Sequence, residues 1–158
     1  MEEYATVDAA LIAVFGTLLG SMVTHYFQGR ATVRSAELAR AEQLRQERIS
    51  SYSAFAGALH DYRRSQNDRW FRAHEDGPGT QAEASRFASY EARMSARAAL
   101  VRVQLVCADP QLRHLADEAF ECTNCLHEAA DETDRDRRSQ RCKQALNAFV
   151  AAAAPTVH

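Results

Sequence analysis

The sequence predicts an all-α fold: an N-terminal single transmembrane helix that continues into a long stalk helix, then an antiparallel bundle of about four helices. Three observations lead there. Residues Ala9 to Gln28 contain no Asp, Glu, Lys or Arg. The 158 residues hold only six glycines and three prolines, too few turns for a sheet protein of this length. Beyond Gly29, apolar side chains recur every three or four positions, the helical period.

Composition narrows the class further. With 46% hydrophobic and 25% charged residues, the chain is too apolar for a disordered tail and too charged for a multi-span membrane protein. A net charge of −2 argues against a globally basic nucleic-acid binder. Lys143 is the only lysine, so the basic residues are otherwise all Arg, a pattern of GC-rich coding. The mean hydropathy of −0.42 blends one apolar segment with a polar remainder.

The sequence divides into residues 1–28 (short N-terminus and span), 29–48 (basic stalk) and 49–158 (cytoplasmic helical bundle). As a helix, the segment AALIAVFGTLLGSMVTHYFQ from Ala9 is roughly 30 Å long, the thickness of the hydrocarbon layer. A core helix would show a polar stripe, and a signal peptide a basic start and a small-x-small cleavage site. The segment has neither, and it begins after Glu2 and Glu3. Arg30 and Arg34 follow the span directly, so the positive-inside rule places the C-terminal body in the cytoplasm and the N-terminus outside the plasma membrane. Contact of these arginines with anionic lipid adds about 1 kcal/mol each.

Ala9, Ala13, Gly16, Gly20 and Thr24 form a small face with a GxxxG at its centre, which lets two helix backbones approach and predicts a homo-oligomer. The stalk, rich in Arg and Glu, carries Glu37 before Arg40 and Glu42 before Arg45 at supportive spacings. Gly29 and Ser50–Ser51 are where a break in this helix would fall. Leu44, Ile49, Tyr52, Phe55, Leu59, Tyr62 and Trp70 then mark one apolar face of the same helix.

Asp76-Gly77-Pro78-Gly79 is the first strong breaker, and Thr80 with Glu83 reads as a capping box opening the next helix. The apolar set of that helix is Phe87, Tyr90, Met94, Val101 and Leu105. Asp109-Pro110 ends it and starts another, with Asp as N-cap and Pro at N1. Leu112, Leu115, Ala119, Cys122, Leu126 and Ala129 make the third stripe. Asp131 to Arg141 reads as a solvated charged stretch or a junction. Cys142, Ala145, Leu146, Phe149 and Val150 carry a last helix ended by Pro155.

Chemistry-bearing motifs are few. Cys122-Thr-Asn-Cys125 offers two thiols on one helical turn, but no second CxxC or HxxxH completes a zinc site, and no strand precedes it as in thioredoxins. There is no nucleophile elbow, P-loop or GxGxxG, so neither an enzyme nor a cofactor is expected. Arg69, Trp70, Phe71 and Arg72 combine aromatic and guanidinium groups, as a partner contact does; the plainer reading packs Trp70 over the end of a bundle. Nine arginines against five acids from Arg30 to Arg72, and nine acids against five arginines from Asp109 to Cys142, are opposite excesses that pair helices within one bundle or steer two protomers.

The span LIAVFGTLLGSMVTHYFQGR, the stretch RAEQLRQERISSYSAFAGALHDYRR, the RWFR tip and VRVQLVCADPQLRHLADEAF together resemble the KilB-type spread proteins of conjugative plasmids in mycelial, high-GC actinobacteria. The resemblance covers nearly the whole chain and rests on patterns, with no catalytic or ligand residues to carry over. It implies a role in intramycelial plasmid spread. The expectation is a membrane-anchored scaffold that touches lipid, self-associates and recruits a DNA-translocating motor or other spread proteins, without direct DNA binding. The alternative is a single-pass membrane-tethered interaction or regulatory module unrelated to plasmids.

Overall fold

In the computed structural model, residues 2–76 and 79–157 are described, with the side chains of residues 20, 22, 34–74 and 79–157. Four α-helices carry the fold: α1 Glu2–Phe71, α2 Thr80–Val106, α3 Pro110–Asn124 and α4 Glu132–Ala153. A π-helical turn, Arg72–Asp76, follows α1; short 3-10 turns, Leu126–Glu128 and Ala154–Val157, follow α3 and α4. Among the described residues there is no strand.

The chain forms two units, residues 1–43 and 44–158. Of the first, the side chains from Arg34 to Gln43 are all exposed. Among the described residues no helix is long and apolar enough to cross a membrane. The side chains of residues 9–28, Gly20 and Met22 excepted, lie outside the described residues, and so does the predicted small face apart from exposed Gly20.

The second unit is built on a core of Phe55, Leu59 and Tyr62 from α1, Leu100 and Val103 from α2, Leu112 and Phe120 from α3, and Phe149 from α4. Phe149 meets Phe55 and Tyr52 edge-on, with ring centroids at 5.1 and 5.8 Å, geometry that places ring edges against π faces. Tyr62 packs on Phe120 at 5.9 Å. The α1 stripe read from the sequence is therefore the buried face from Tyr52 to Trp70, while Leu44 is exposed and Ile49 half-buried.

Two arginines assigned to the stalk fix the ends of other helices. Arg48 Nε donates to the Val106 carbonyl at the end of α2 (3.4 Å), and Arg45 Nε to the Val157 carbonyl (2.7 Å). Carbonyls in the last turn of a helix lack intrahelical donors and carry the negative end of its dipole, so a guanidinium there satisfies both.

Helix starts follow the sequence at one of two predicted places. Asp109 Oδ1 accepts from Gln111 N at 2.8 Å with Pro110 following, as predicted for an N-cap. Thr80, by contrast, is inside α2; Gly79 is the N-cap, no side chain caps it, and the Gly79 carbonyl takes the Glu83 N–H. The charged stretch from Asp131 is a largely exposed part of a helix and not a junction: it forms the first half of α4, capped by Asp131, which accepts from Asp134 N at 2.7 Å.

The largest departure concerns α2. Its buried face is Ser85, Ser89, Ala96, Ala99, Leu100 and Val103, with half-buried Ala92 between. Phe87, Tyr90, Met94, Val101 and Leu105, the apolar set read from the sequence, are exposed, Phe87 at 62% and Leu105 at 80%. Both sets keep a helical period, and they lie on opposite sides of the helix. The inward face joins small residues to Leu100 and Val103, which enter the core.

Candidate functional site

The functional candidates among the described residues are a polar hub, a packed helix tip, a thiol cleft and an exposed face. The hub is Gln66, which is 1% exposed. Its Nε2 lies within hydrogen-bond reach of the Asn124 carbonyl (2.9 Å), the Tyr62 hydroxyl (3.1 Å) and the Thr123 carbonyl (3.3 Å). Its Oε1 accepts from Ser89 Oγ at 2.8 Å. One side chain thus joins α1 to α2 and to the end of α3. Tyr62 in turn donates to Asn124 Oδ1 at 2.9 Å, and burial pushes its hydroxyl up to about 12. His127 Nδ1 lies 3.2 Å from Gln66 Nε2, and burial, with Arg69 adding repulsion, lowers its affinity for a proton.

The Arg69–Arg72 tip is packed. Trp70 is 5% exposed and donates its indole N–H to the Ala129 carbonyl at 2.8 Å. The His74 ring stacks on it at 4.1 Å. Arg135 lies over Phe71 at 4.1 Å and over Trp70 at 5.3 Å, and pairs with Asp136 at 2.7 Å and Glu132 at 3.4 Å. Aromatic faces and carboxylates replace water around this buried guanidinium except at Nε, which is buried without a hydrogen-bond partner. Arg69 sits 5.6 Å from the Tyr90 ring, and Arg72 donates to Gln81 Oε1 at 2.8 Å and lies 3.7 Å from Asp68. The tip thereby fastens α1 to the start of α2 and to α4. Of the predicted lipid-flanking arginines, Arg34 is exposed and the Arg30 side chain lies outside the described residues.

Cys122 and Cys125 line a cleft of about 540 Å³ between α3 and α4, together with Glu121, Asp134 and Arg138. Cys142 Sγ donates to Cys122 Sγ at 3.4 Å, and burial first, then Cys122, pushes the Cys142 thiol up to about 12. Burial and the carboxylates of Glu128 and Glu121 also raise the exposed Cys125. Thiols held protonated are poor nucleophiles and poor metal ligands. Among the described residues no three His, Cys, Asp or Glu side chains converge on a metal position. Asp134 is the opposite case: the Ala130 N–H, then Arg137 and Arg138, hold its carboxylate below the usual range.

The model of the KilB plasmid transfer protein family matches residues 49–157. The chain belongs to the KilB family. The matched segment falls within the unit that carries the core, the Gln66 hub and the packed tip. No curated protein and no solved structure matches the chain.

Sequence reading missed Gln66 and Arg135. Gln66 falls four residues after Tyr62 and four before Trp70, so helical spacing alone assigns it to the buried face. Arg135 carries no comparable signal, since it lies in a run of charges.

Proposed function

We propose that this KilB protein acts in plasmid transfer as a non-enzymatic scaffold. The single observation that carries the reading is the family match across the helical body. In the finer reading, residues 9–28 anchor the chain in the plasma membrane, with the body cytoplasmic. Ala9, Ala13, Gly16, Gly20 and Thr24 bring copies together. The body recruits a DNA-translocating motor, which must be another protein. The uncharged 20-residue run and the arginines that follow it support the anchor and its orientation. Side chains engaged in packing and caps, as at the hub and tip, support a binding body over a reaction centre.

The test is a mating assay that compares a plasmid carrying the intact gene with one carrying a deletion. Reduced spread from donor into recipient mycelium is expected; unchanged spread refutes the role. Resistance of the full chain to alkaline carbonate extraction tests the anchor separately.

A further inference from the structure

We propose that the outward face of α2 is a two-fold self-association surface, on which two copies of this chain pack with their α2 helices antiparallel. The contact is independent of the small face at residues 9–24 and adds a second one in the body. Phe87, Tyr90, Met94, Val101 and Leu105 are all exposed, diametrically opposite the face that α2 packs inward. Five large apolar side chains on a single helix face far exceed the scattered exposed residues of an ordinary surface.

The occupant follows from the order of the stripe. With Ala98, the positions 87, 90, 94, 98, 101 and 105 read almost the same in either direction. A two-fold axis level with buried Ala96 sets Phe87 against the second copy's Leu105, Met94 against its Ala98, and Tyr90 against its Val101. Two-fold contacts are self-complementary, so each pairing occurs twice. Charge agrees with this order along one edge. Glu91 and Arg102 share one edge of the stripe, and the same axis brings Glu91 opposite the second copy's Arg102. The other edge carries Arg86, Arg93 and Arg97. There Arg86 meets Gln104, which is bonded to Asp117 at 2.9 Å, and Arg93 comes level with the second copy's Arg97, a like-charge pair eased because Arg97 lies over the Phe120 ring at 5.5 Å.

The experiment uses the purified full chain in mild detergent, carrying Gly16→Leu and Gly20→Leu to remove the contact proposed for the small face. Sedimentation should show a dimer. Met94→Arg should weaken it at least about tenfold with the helical circular dichroism unchanged, because Met94 is exposed. Glu91→Arg and Arg102→Glu should each weaken it severalfold, and the two together should restore it, since the swapped charges again face each other. A photo-cross-linking phenylalanine analogue in place of Phe87 should capture the segment around Leu105 of a second copy. A chain that stays monomeric overturns the proposal. So do dimers indifferent to Met94→Arg, absence of rescue by the double swap, cross-links from position 87 to position 87 (a parallel pair), and capture of a different protein by a monomeric chain.

Discussion

Gln66→Leu should destabilise the body by about 2–4 kcal/mol. The substitution keeps an apolar stem at a position 1% exposed, so the cavity it leaves is small. The cost lies in what it strands. Ser89 Oγ loses the acceptor at 2.8 Å and the Thr123 carbonyl loses its side-chain donor at 3.3 Å, whereas the Asn124 carbonyl keeps His127 Nδ1 at 3.0 Å. Each buried group left without a partner costs about 1–3 kcal/mol. Tyr62 is not stranded, because its hydroxyl still donates to Asn124 Oδ1. Urea unfolding of the full chain, followed by circular dichroism, gives the value. Ser89→Ala alone should cost about 1 kcal/mol, and added to Gln66→Leu it should cost almost nothing, since the hydroxyl it removes is then already unpaired. A loss below about 0.5 kcal/mol for Gln66→Leu, or strict additivity of the two changes, refutes the hub.

Two groups give the body a pH dependence of the same sign in different windows. His127 has a folded pKa below its ordinary 6.5, so the unfolded chain binds the proton first and stability falls as pH drops below about 6.5. Thermal melts across that range should flatten in His127→Gln. Asp134 has a folded pKa below its ordinary 3.8, so its contribution is present above that value and lost as pH falls through the lower one; Asp134→Asn should remove it, as melts in acid would record. Thiol labelling at mild alkaline pH should modify exposed Cys125 first. Buried Cys142, its thiol pushed up to about 12, should react far more slowly than a free thiol until the chain unfolds, and rapid labelling there would contradict its burial.

The helix boundaries were legible where a single residue type does one physical job. Pro110 cannot continue α2 but suits a first helical turn, and Asp109 accepts the N–H that turn leaves free. The α1 core face was legible because Tyr52, Phe55, Leu59 and Tyr62 are large and have no rival on the other sides of the helix. On α2 a rival existed. Ser85, Ser89, Ala92, Ala96, Ala99 and Val103 repeat at four, three, four, three and four, a more regular series than the large set. Helical period states which residues share a face, not which face meets the core. On α2 the face that meets the core is the one of Ser85, Ser89, Ala96, Ala99, Leu100 and Val103, and the large apolar set is exposed.

Charge shows the same division between what a fold uses internally and what it leaves outside. The opposite excesses of Arg30–Arg72 and Asp109–Cys142 suggested ion pairs between helices. Several ion pairs of the body are instead local: Arg135 with Glu132 and Asp136, Arg137 and Arg138 with Asp134, Arg72 with Asp68. The long-range work of α1 arginines goes to neutral acceptors, the carbonyls of Val106 and Val157 and the hydroxyl of Ser139. A carbonyl at a helix end has no other donor, whereas an exposed carboxylate is already well solvated, so the guanidinium gains more from the carbonyl. Glu118, Glu121 and Glu128 therefore stay in solvent on α3 and its following turn. Their field extends about a Debye length, roughly 8 Å at physiological salt, and can act only on a partner close enough to touch.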